Sequence, residues 1–157
     1  MYSGMVNAST RNIYMGGNFY NYNGNTSFIN SFPGNLTFVS LSGLVQHFRN
    51  DGSPLTLANV VMNQIITGGS LTLDTNATSD LKLGFNGTLT LTNGKIITGA
   101  TREVNITNAG PAACSVGNAM SYVEGNLRRA IGMFAGTYEF PVGYFTKGYQ
   151  RFAIQYG

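Results

Sequence analysis

Residues 87–94 read Gly-Thr-Leu-Thr-Leu-Thr-Asn-Gly, and Lys95-Ile-Ile-Thr-Gly99 follows directly. Leu89 and Leu91 alternate with threonines, so an extended chain here has one apolar side and one polar side. The closing Asn-Gly pair is a typical tight-turn sequence. This stretch therefore predicts a short, half-buried β-strand that ends in a turn.

Related three-residue cassettes recur along the chain at intervals of 15 to 19 residues. They are Leu36-Thr-Phe38, Leu55-Thr-Leu57, Leu71-Thr-Leu73, Leu89-Thr-Leu91 and Val104-Asn-Ile106. A further segment, Gln64-Ile-Ile-Thr-Gly68, returns as Lys95-Ile-Ile-Thr-Gly99, about two predicted coils later. A short strand that recurs at a regular spacing, with turn residues between, is typical of a parallel β-solenoid. We therefore predict an all-β protein whose main part, residues 12–108, is a parallel β-solenoid (β-helix).

The pattern changes on both sides of this part. Residues 1–11 are polar and are interpreted as a lead-in, whereas residues 109–117 are small and turn-like. Alternation then returns in three stretches that reach residue 156, and Pro141 in one of them fits an edge strand better than a central strand. Residues 109–157 are thus predicted to be antiparallel capping strands or the start of a β-sandwich. The last of them, Tyr149–Tyr156, is a candidate contact with a neighbouring chain.

The composition narrows the class of protein. Only 10% of the 157 residues are charged, well below the roughly 25% of ordinary soluble domains, and Asn, Thr, Ser and Gly take their place. The net charge of +3 comes from scattered lysines and arginines without a basic stripe, which argues against a nucleic-acid partner. Cys114 is the single cysteine, so neither an intrachain disulfide nor a cysteine-based zinc site is expected. The chain also lacks an apolar run of about 18 residues, so we do not expect it to span a membrane.

Four segments carry a family resemblance through their order along the chain: residues 89–99, Glu103-Val-Asn-Ile-Thr-Asn108, residues 121–129 and residues 136–143. They resemble the very long cell-surface proteins of Bacteroidetes, in which an LTLTNGKIITG rung, a SYVxGxLRR strand and a GxYxFPVG strand follow one another. Membership would imply export across the outer membrane, a β-helical stalk and an adjoining β-sandwich. It would also imply adhesion or a structural role at the bacterial surface. The chain departs from the pattern at residues 112–115, where small Gly and Val residues are commoner in that group.

No constellation of residues predicts catalysis. His47 is the only histidine, and the six carboxylates do not cluster in the sequence. Residues 74–80 offer oxygen ligands but lack the spacing of a calcium loop. We therefore predict no enzyme activity, no metal and no cofactor. A carbohydrate-active β-helix enzyme is the less favoured alternative, and it would need acidic or basic side chains that converge on one groove.

One surface is a candidate binding site. If the cassettes stack in register, their central threonines form an outer ladder: Thr37, Thr56, Thr72 and Thr90. The simplest interpretation is that threonine suits an exposed strand position; the alternative is a flat surface for glycan, another filament or ice. We expect a non-enzymatic extracellular protein of structural or adhesin type, which acts as a stalk or as a component of a self-assembling filament. Its expected partners are further copies of itself, other surface proteins, or glycans if it is instead a glycan-binding module.

Overall fold

A computed structural model describes residues 5–23, 27–40, 43, 45–75 and 79–157 of the chain. Within these ranges the protein is all-β, with one short 3-10 helix at Pro111–Ala113. The predicted fold class is confirmed, because about five coils stack as a parallel β-solenoid and antiparallel strands follow at the C-terminal end. The strands are β1 (Val6–Ser9), β2 (Ile13–Met15), β3 (Phe19–Asn21), β4 (Phe28–Asn30), β5 (Asn35–Phe38), β6 (Val45–Asn50), β7 (Thr56–Leu57), β8 (Asn59–Asn63), β9 (Ser70–Leu73), β10 (Leu81–Leu83), β11 (Leu89–Asn93), β12 (Lys95–Ile106), β13 (Val123–Arg129), β14 (Gly136–Tyr144) and β15 (Gly148–Tyr156).

The solenoid has three sides, and a coil contributes one short strand to each. Side 1 consists of β2, β5, β8 and β11. Side 2 consists of β3, β6, β9 and the first halves of β12 and β13. Side 3 consists of β7, β10 and the second halves of β12 and β13, with the parallel pair β1–β4 at its N-terminal end. Both β12 and β13 turn the corner between sides 2 and 3 at a glycine with positive φ, Gly99 and Gly125.

The strand register gives the length of a coil. Ile13, Leu36, Val60 and Leu89 pair one after another on side 1, so the coils between them are 23, 24 and 29 residues long. Cys114 continues this row through a single bridge to Leu89. The predicted interval of 15–19 residues is therefore wrong as the length of a coil.

The cassettes themselves are strands, but they lie on different sides of the solenoid. Residues 36–38 are on side 1, residues 55–57 reach side 3 and residues 71–73 are on side 2. The pattern misleads because every side of the solenoid uses the same inward, outward, inward triplet. The two Ile-Ile-Thr-Gly segments are not equivalent either: residues 64–68 lie in a turn after β8, while residues 95–99 belong to β12.

Inward side chains stack into apolar rows that run along the solenoid. On side 3 the row contains Leu57, Leu83 and Ile106, which are in register and essentially inaccessible to solvent. On side 2 the Phe19 ring stacks on Phe48 with 5.0 Å between the ring centroids. Burial of such rows is the main favourable contribution to folding.

Buried amide side chains join the coils at the corner between sides 1 and 2. Gln64 Nε2 donates to Gln46 Oε1 (2.7 Å), and Gln64 Oε1 accepts from the backbone N–H of Ser40 (2.7 Å). Gln46 Nε2 in turn donates to the Gly17 carbonyl (2.6 Å), and Asn93 Nδ2 donates to the Gln64 carbonyl (2.6 Å). These bonds satisfy backbone groups that the turns leave without strand partners, and they fix the register between neighbouring coils.

Parallel pairing extends beyond both predicted boundaries of the solenoid. At the N-terminal end β1 lies within the predicted lead-in, yet it pairs with β4. At the C-terminal end β13 pairs with β12 from Ile96–Val123 to Ile106–Arg129, which makes it part of a last coil. Residues 109–117 appear irregular in the sequence because they form side 1 of that coil with one bridge and a short 3-10 helix.

The last two strands form an antiparallel hairpin, as predicted, which we call the C-terminal hairpin (residues 136–156). Nine residue pairs join β14 to β15, from Gly136–Tyr156 to Tyr144–Gly148. On its other edge β14 pairs in parallel with β13, at Val142 and Gly143. The hairpin therefore continues the main sheet past the last coil, and β15 is an end strand of that sheet.

Candidate functional site

The four predicted threonines do not form one ladder. Thr37 and Thr90 are on side 1, but Val61 lies between them in the register. Thr56 is on side 3 and Thr72 on side 2. The predicted ladder is thus wrong in its geometry, because the spacing of the cassettes is less than one coil. Thr37 is in addition only 6% exposed.

Side 3 instead presents a mixed charged row that sequence spacing alone did not reveal. Thr56, Lys82, Asn105 and Arg128 follow one another in register on its outer surface. Arg128 pairs with Glu103, and a shallow cavity of about 210 Å³ lies beside this row. Knowledge of the true coil length would have aligned these residues from the sequence.

The carboxylates of the described chain are mostly held in ion pairs. Asp80 Oδ1 lies 3.6 Å from an Arg102 nitrogen, and Glu124 Oε2 lies 3.4 Å from Lys95 Nζ. The other pairs are Arg49–Asp51, Arg128–Glu103 and Arg151–Glu139. Four of these five pairs link neighbouring coils or strands, and the Arg49–Asp51 pair lies within one coil.

The sequence also raised His47 and the polar segment 74–80 as candidate sites. His47 lies on the exposed side of β6, where its backbone N–H donates to Asn18 Oδ1 (2.9 Å). Residues 76–78 of the predicted polar corner lie outside the described residues. Among the residues that are described, no three His, Cys, Asp or Glu side chains come together as metal ligands. Nor does this part of the chain contain a helix that is long and apolar enough to cross a membrane.

An aromatic tip and two clefts at the turn of the C-terminal hairpin form the strongest candidate for ligand binding. Tyr144 and Phe145 are 64% and 79% exposed. A cleft of about 490 Å³, which we call the hairpin cleft, is lined by Ile97, Gly99, Ala100, Glu124, Gly125, Asn126, Gly143, Tyr144 and Phe145. A second cleft of about 610 Å³ shares Tyr144 and adds Arg128 and Gln150. Three glycines line the hairpin cleft, together with the exposed aromatic rings of Tyr144 and Phe145.

Tyr122 supports Gly143, one of the residues that line the hairpin cleft. This side chain is buried, and Gly143 of β14 packs directly against its ring. Lys95, at the start of the neighbouring strand β12, places its Nζ 5.0 Å from the centroid of the Tyr122 ring. The neighbouring Tyr122 side chain is the main cause that raises the pKa of Lys95, and Glu124 adds to it.

At the C-terminal end of the core an arginine takes an inward position. Arg129 is in register with Ile106, so it ends the apolar row of side 3. Its Nη1 donates to the Glu139 carbonyl (2.9 Å), and its Nη2 donates to the carbonyls of Gly110 (2.7 Å) and Pro111 (3.2 Å). Burial lowers the pKa of Arg129. We call Arg129 with these three carbonyls the arginine plug, because it closes the C-terminal end of the described core and gives the carbonyls a charged hydrogen-bond donor.

Aromatic rings and a second arginine surround the plug. The Arg129 guanidinium lies 5.1 Å from the Tyr138 ring centroid and 5.8 Å from that of Phe140. The hydroxyl of Tyr138 donates to the backbone carbonyl of Phe134 (2.9 Å). Glu139 accepts two hydrogen bonds from Arg151, and these bonds hold the pKa of the Glu139 carboxyl below its ordinary value. The plug therefore joins the last coil to the hairpin.

The opposite end of the solenoid is more open. A cavity of about 380 Å³ lies there, and its apolar lining comes from the inward residues of the first coil, such as Ile13, Phe19 and Phe28. Tyr20 and Tyr22 stand at its rim and are exposed. Among the described residues the two ends of the solenoid thus differ, since one is closed by the arginine plug and the hairpin, whereas the other has a cavity lined in part by exposed tyrosines.

Comparison with known proteins gives no relative for the chain: no protein-family model, no curated protein and no solved structure matches it. The resemblance to Bacteroidetes surface proteins stays a hypothesis that rests on the four sequence segments. The functional interpretation therefore depends on the geometry of the chain.

Proposed function

We propose that the chain is a non-enzymatic structural segment of an extracellular bacterial surface protein, in which it serves as a rigid stalk. The observation that carries the proposal is the stacking of about five coils. Neighbouring coils are tied together by inward apolar rows and by parallel strand pairing, and the buried Gln46–Gln64 bond adds a tie between two of them. Such nearest-neighbour stacking produces a stiff element whose length grows with the number of coils.

The location outside the cell is supported by the surface chemistry and by the family resemblance. Few charges are available for hydration, and Asn, Thr, Ser and Gly take over that role. The resemblance to long Bacteroidetes surface proteins, which have β-helical stalks, points the same way. Adhesion and filament formation are further roles of such proteins.

An epitope tag inserted in the turn of the C-terminal hairpin tests the location. The turn at residues 145–147 is exposed and joins β14 to β15, so an insertion there leaves the strand pairs intact. We expect an antibody to label the tag on intact producing cells, and external protease to remove the label. A tag that becomes accessible only after the cells are opened would contradict the proposal.

A glycan-binding module is the second candidate function, and the hairpin cleft is the observation that favours it. The rings of Tyr144 and Phe145 offer flat apolar faces for the C–H faces of a sugar ring. The polar groups of Glu124 and Asn126 stand beside them and are suited to bind hydroxyls. Neither feature belongs to the threonine positions that the sequence suggested.

A glycan array with purified protein tests this second function. If it holds, the double variant Tyr144→Ala, Phe145→Ala should lose binding that the wild type shows. The double variant Tyr14→Ala, Tyr20→Ala is the matched control, because it removes two exposed aromatic rings at the other end of the solenoid. Equal binding by both variants would contradict a site at the hairpin cleft. Release of reducing sugar from a bound polysaccharide would contradict the non-enzymatic proposal.

A further inference from the structure

The outer edge of β15 is an unprotected place for strand pairing. β15 pairs with β14 over nine residues, and no strand of the described chain pairs with its other edge. Phe152 is 56% exposed near the middle of the strand. An edge of this length that carries neither a proline nor a bulge is a template for another strand.

A contact of the arginine plug shows which groups face that edge. The Glu139 carbonyl accepts from Arg129, so the backbone groups of Glu139 point away from β15. In an antiparallel pair, directly opposite residues either both face each other with their hydrogen-bonding groups or both face away. Ala153 lies opposite Glu139, and its N–H and C=O therefore point to the outer edge. By alternation, the same holds for Tyr149, Arg151 and Gln155.

The position of Pro141 agrees with this assignment. Pro141 lies opposite Arg151, at a place where β14 does not need to donate a hydrogen bond to β15. Four residues of β15 therefore present backbone donors and acceptors to whatever lies beyond the edge.

Charge does not protect the edge either. Arg151 is the only charged residue of β15, and Glu139 binds it through Nε (2.9 Å) and Nη2 (2.5 Å). Natural edge strands often use a projecting charge to block another chain. Here the charge is neutralised by a residue of the same hairpin.

We propose that β15 pairs in antiparallel fashion with β15 of a second copy of this chain, around a twofold axis at Phe152. In this register Arg151 lies opposite Ala153 of the second copy, and Tyr149 lies opposite its Gln155. All outward backbone groups then find partners, which gives about eight hydrogen bonds between the strands. No like charges face each other, and Phe152 meets its own copy.

Three alternative arrangements fit less well. A shift by one residue places outward groups of one strand opposite inward groups of the other. An axis at Arg151 sets two arginines against each other. The sheet's other end strand, β3, has only three residues, so a head-to-tail pair of β15 with β3 would leave most of the edge unpaired. Because β15 pairs over more residues with a second β15 than with β3, a closed dimer is favoured over an open filament.

This inference rests on the proposed role as a stalk. It adds the partner: a second copy of the chain, bound through the C-terminal hairpin. Light scattering during size-exclusion chromatography, over a wide range of concentrations, measures the mass. We expect twice the 16.8 kDa of the chain for the wild type. Ala153→Pro should give the monomer, because it removes an outward N–H and leaves the pairing with β14 intact. Ala153→Ser keeps that N–H and should remain a dimer.

A cross-linking experiment tests the register. Phe152→Cys should form a disulfide-linked dimer under mild oxidation, because residues at a twofold axis between hydrogen-bonded pairs have Cα atoms about 4.5 Å apart. Gln155→Cys should not cross-link, since its partner is Tyr149. A wild-type monomer at every concentration, fibres in place of dimers, or a dimer that survives Ala153→Pro would overturn the inference. The location of the epitope tag would be unaffected, so failure of the stalk proposal is seen separately.

Discussion

At the scale of single residues, Arg129 is the position that departs most from the pattern around it. The equivalent positions in the three preceding coils are leucine or isoleucine. An arginine is stable there because three carbonyl oxygens and two aromatic rings receive its guanidinium. Its burial therefore depends on the carbonyl acceptors that the last coil and β14 provide at this end of the core.

Replacing the plug should be costly. In Arg129→Met the side chain keeps its length, but the carbonyls of Gly110, Pro111 and Glu139 lose their donor. We expect the free energy of unfolding to fall by about 2 to 4 kcal/mol, measured by urea denaturation. Arg128→Met is the matched control: that side chain is 66% exposed, and its loss should change stability by no more than about 0.5 kcal/mol. Equal losses in the two variants would show that Arg129 does not close the core.

Cys114 predicts a dependence of stability on alkaline pH. Burial raises the pKa of its thiol from 9.0 to about 12, so the folded protein keeps the thiol neutral while the unfolded chain ionises it. The stability that this thiol contributes is complete below about pH 9 and is lost progressively as the pH rises toward 12. In that range the free energy of unfolding of the wild type should fall by up to about 1.4 kcal/mol per pH unit more than that of Cys114→Ala.

Urea denaturation at a series of pH values measures this difference. The tyrosines and lysines that also titrate there are common to both proteins and cancel in the comparison. Parallel stability curves for wild type and Cys114→Ala would mean that the thiol is already accessible to water in the folded state.

At the scale of strands, alternation identified the elements but could not place them on a side. The cassettes at Leu36, Leu71 and Val104 are indeed in strands, yet they lie on three different sides of the solenoid. A strand of three residues shows the same apolar, polar, apolar triplet whichever side it joins. Only the long-range pairing of strands distinguishes the sides, and the alternation within three residues does not reveal which strands pair. The candidate ladder of threonines failed for this reason.

The C-terminal hairpin was predicted better than the clefts and the arginine plug, because its sequence pattern is local. The hairpin of β14 and β15 follows from two alternating stretches and a glycine-containing turn. Its clefts were missed, because their walls come from Ile97, Asn126 and Tyr144, which only the pairing of β12, β13 and β14 brings together. The plug was missed because the sequence does not reveal that residues 123–129 complete a coil.

The contact between Gly143 and Tyr122 decides whether β14 can join the last coil. A Cβ atom at Gly143 would lie 2.5 Å from Cδ2 of Tyr122 and 2.6 Å from the Gly148 carbonyl oxygen. Because the ring is buried and both strands are paired, neither can move away cheaply. We expect Gly143→Ala to lower the free energy of unfolding by about 1 to 3 kcal/mol, measured by urea denaturation.

Gly17→Ala is the control for this prediction. No heavy atom lies within 4 Å of the Cβ that it would add, so the variant should be as stable as the wild type. A stable Gly143→Ala protein with the wild-type hairpin would mean that β14 is held by the plug alone.

At the scale of the whole molecule, the two ends should differ in how readily they open. Among the described residues, the first coil has a neighbouring coil on one side only, and a cavity of about 380 Å³ lies within it. Phe19 attaches it to the second coil through the stack on Phe48 and an edge contact with Phe28. In Phe19→Ala, we expect amide hydrogen exchange to become about a hundredfold faster in β2 to β4, while β9 to β12 keep their protection.

Hydrogen exchange followed by mass spectrometry of peptides gives this comparison directly. Tyr14→Ala serves as control, because its ring is exposed and does not line the cavity, so its loss should leave exchange unchanged. Faster exchange in every coil of Phe19→Ala would mean that the solenoid opens as one unit.

The buried amides at the corners have a consequence for how such a protein can change its length during evolution. Each bond, such as that from Gln64 to Gln46, spans the distance between one coil and the next. Inserting one residue in a strand would turn its inward side chains outward, whereas duplicating a complete coil would reproduce every bond. Partial insertions are accommodated only at corners, as in the 29-residue coil that starts at Val60. Lineages of this fold should therefore lengthen in whole-coil steps, with the plug inherited unchanged at one end.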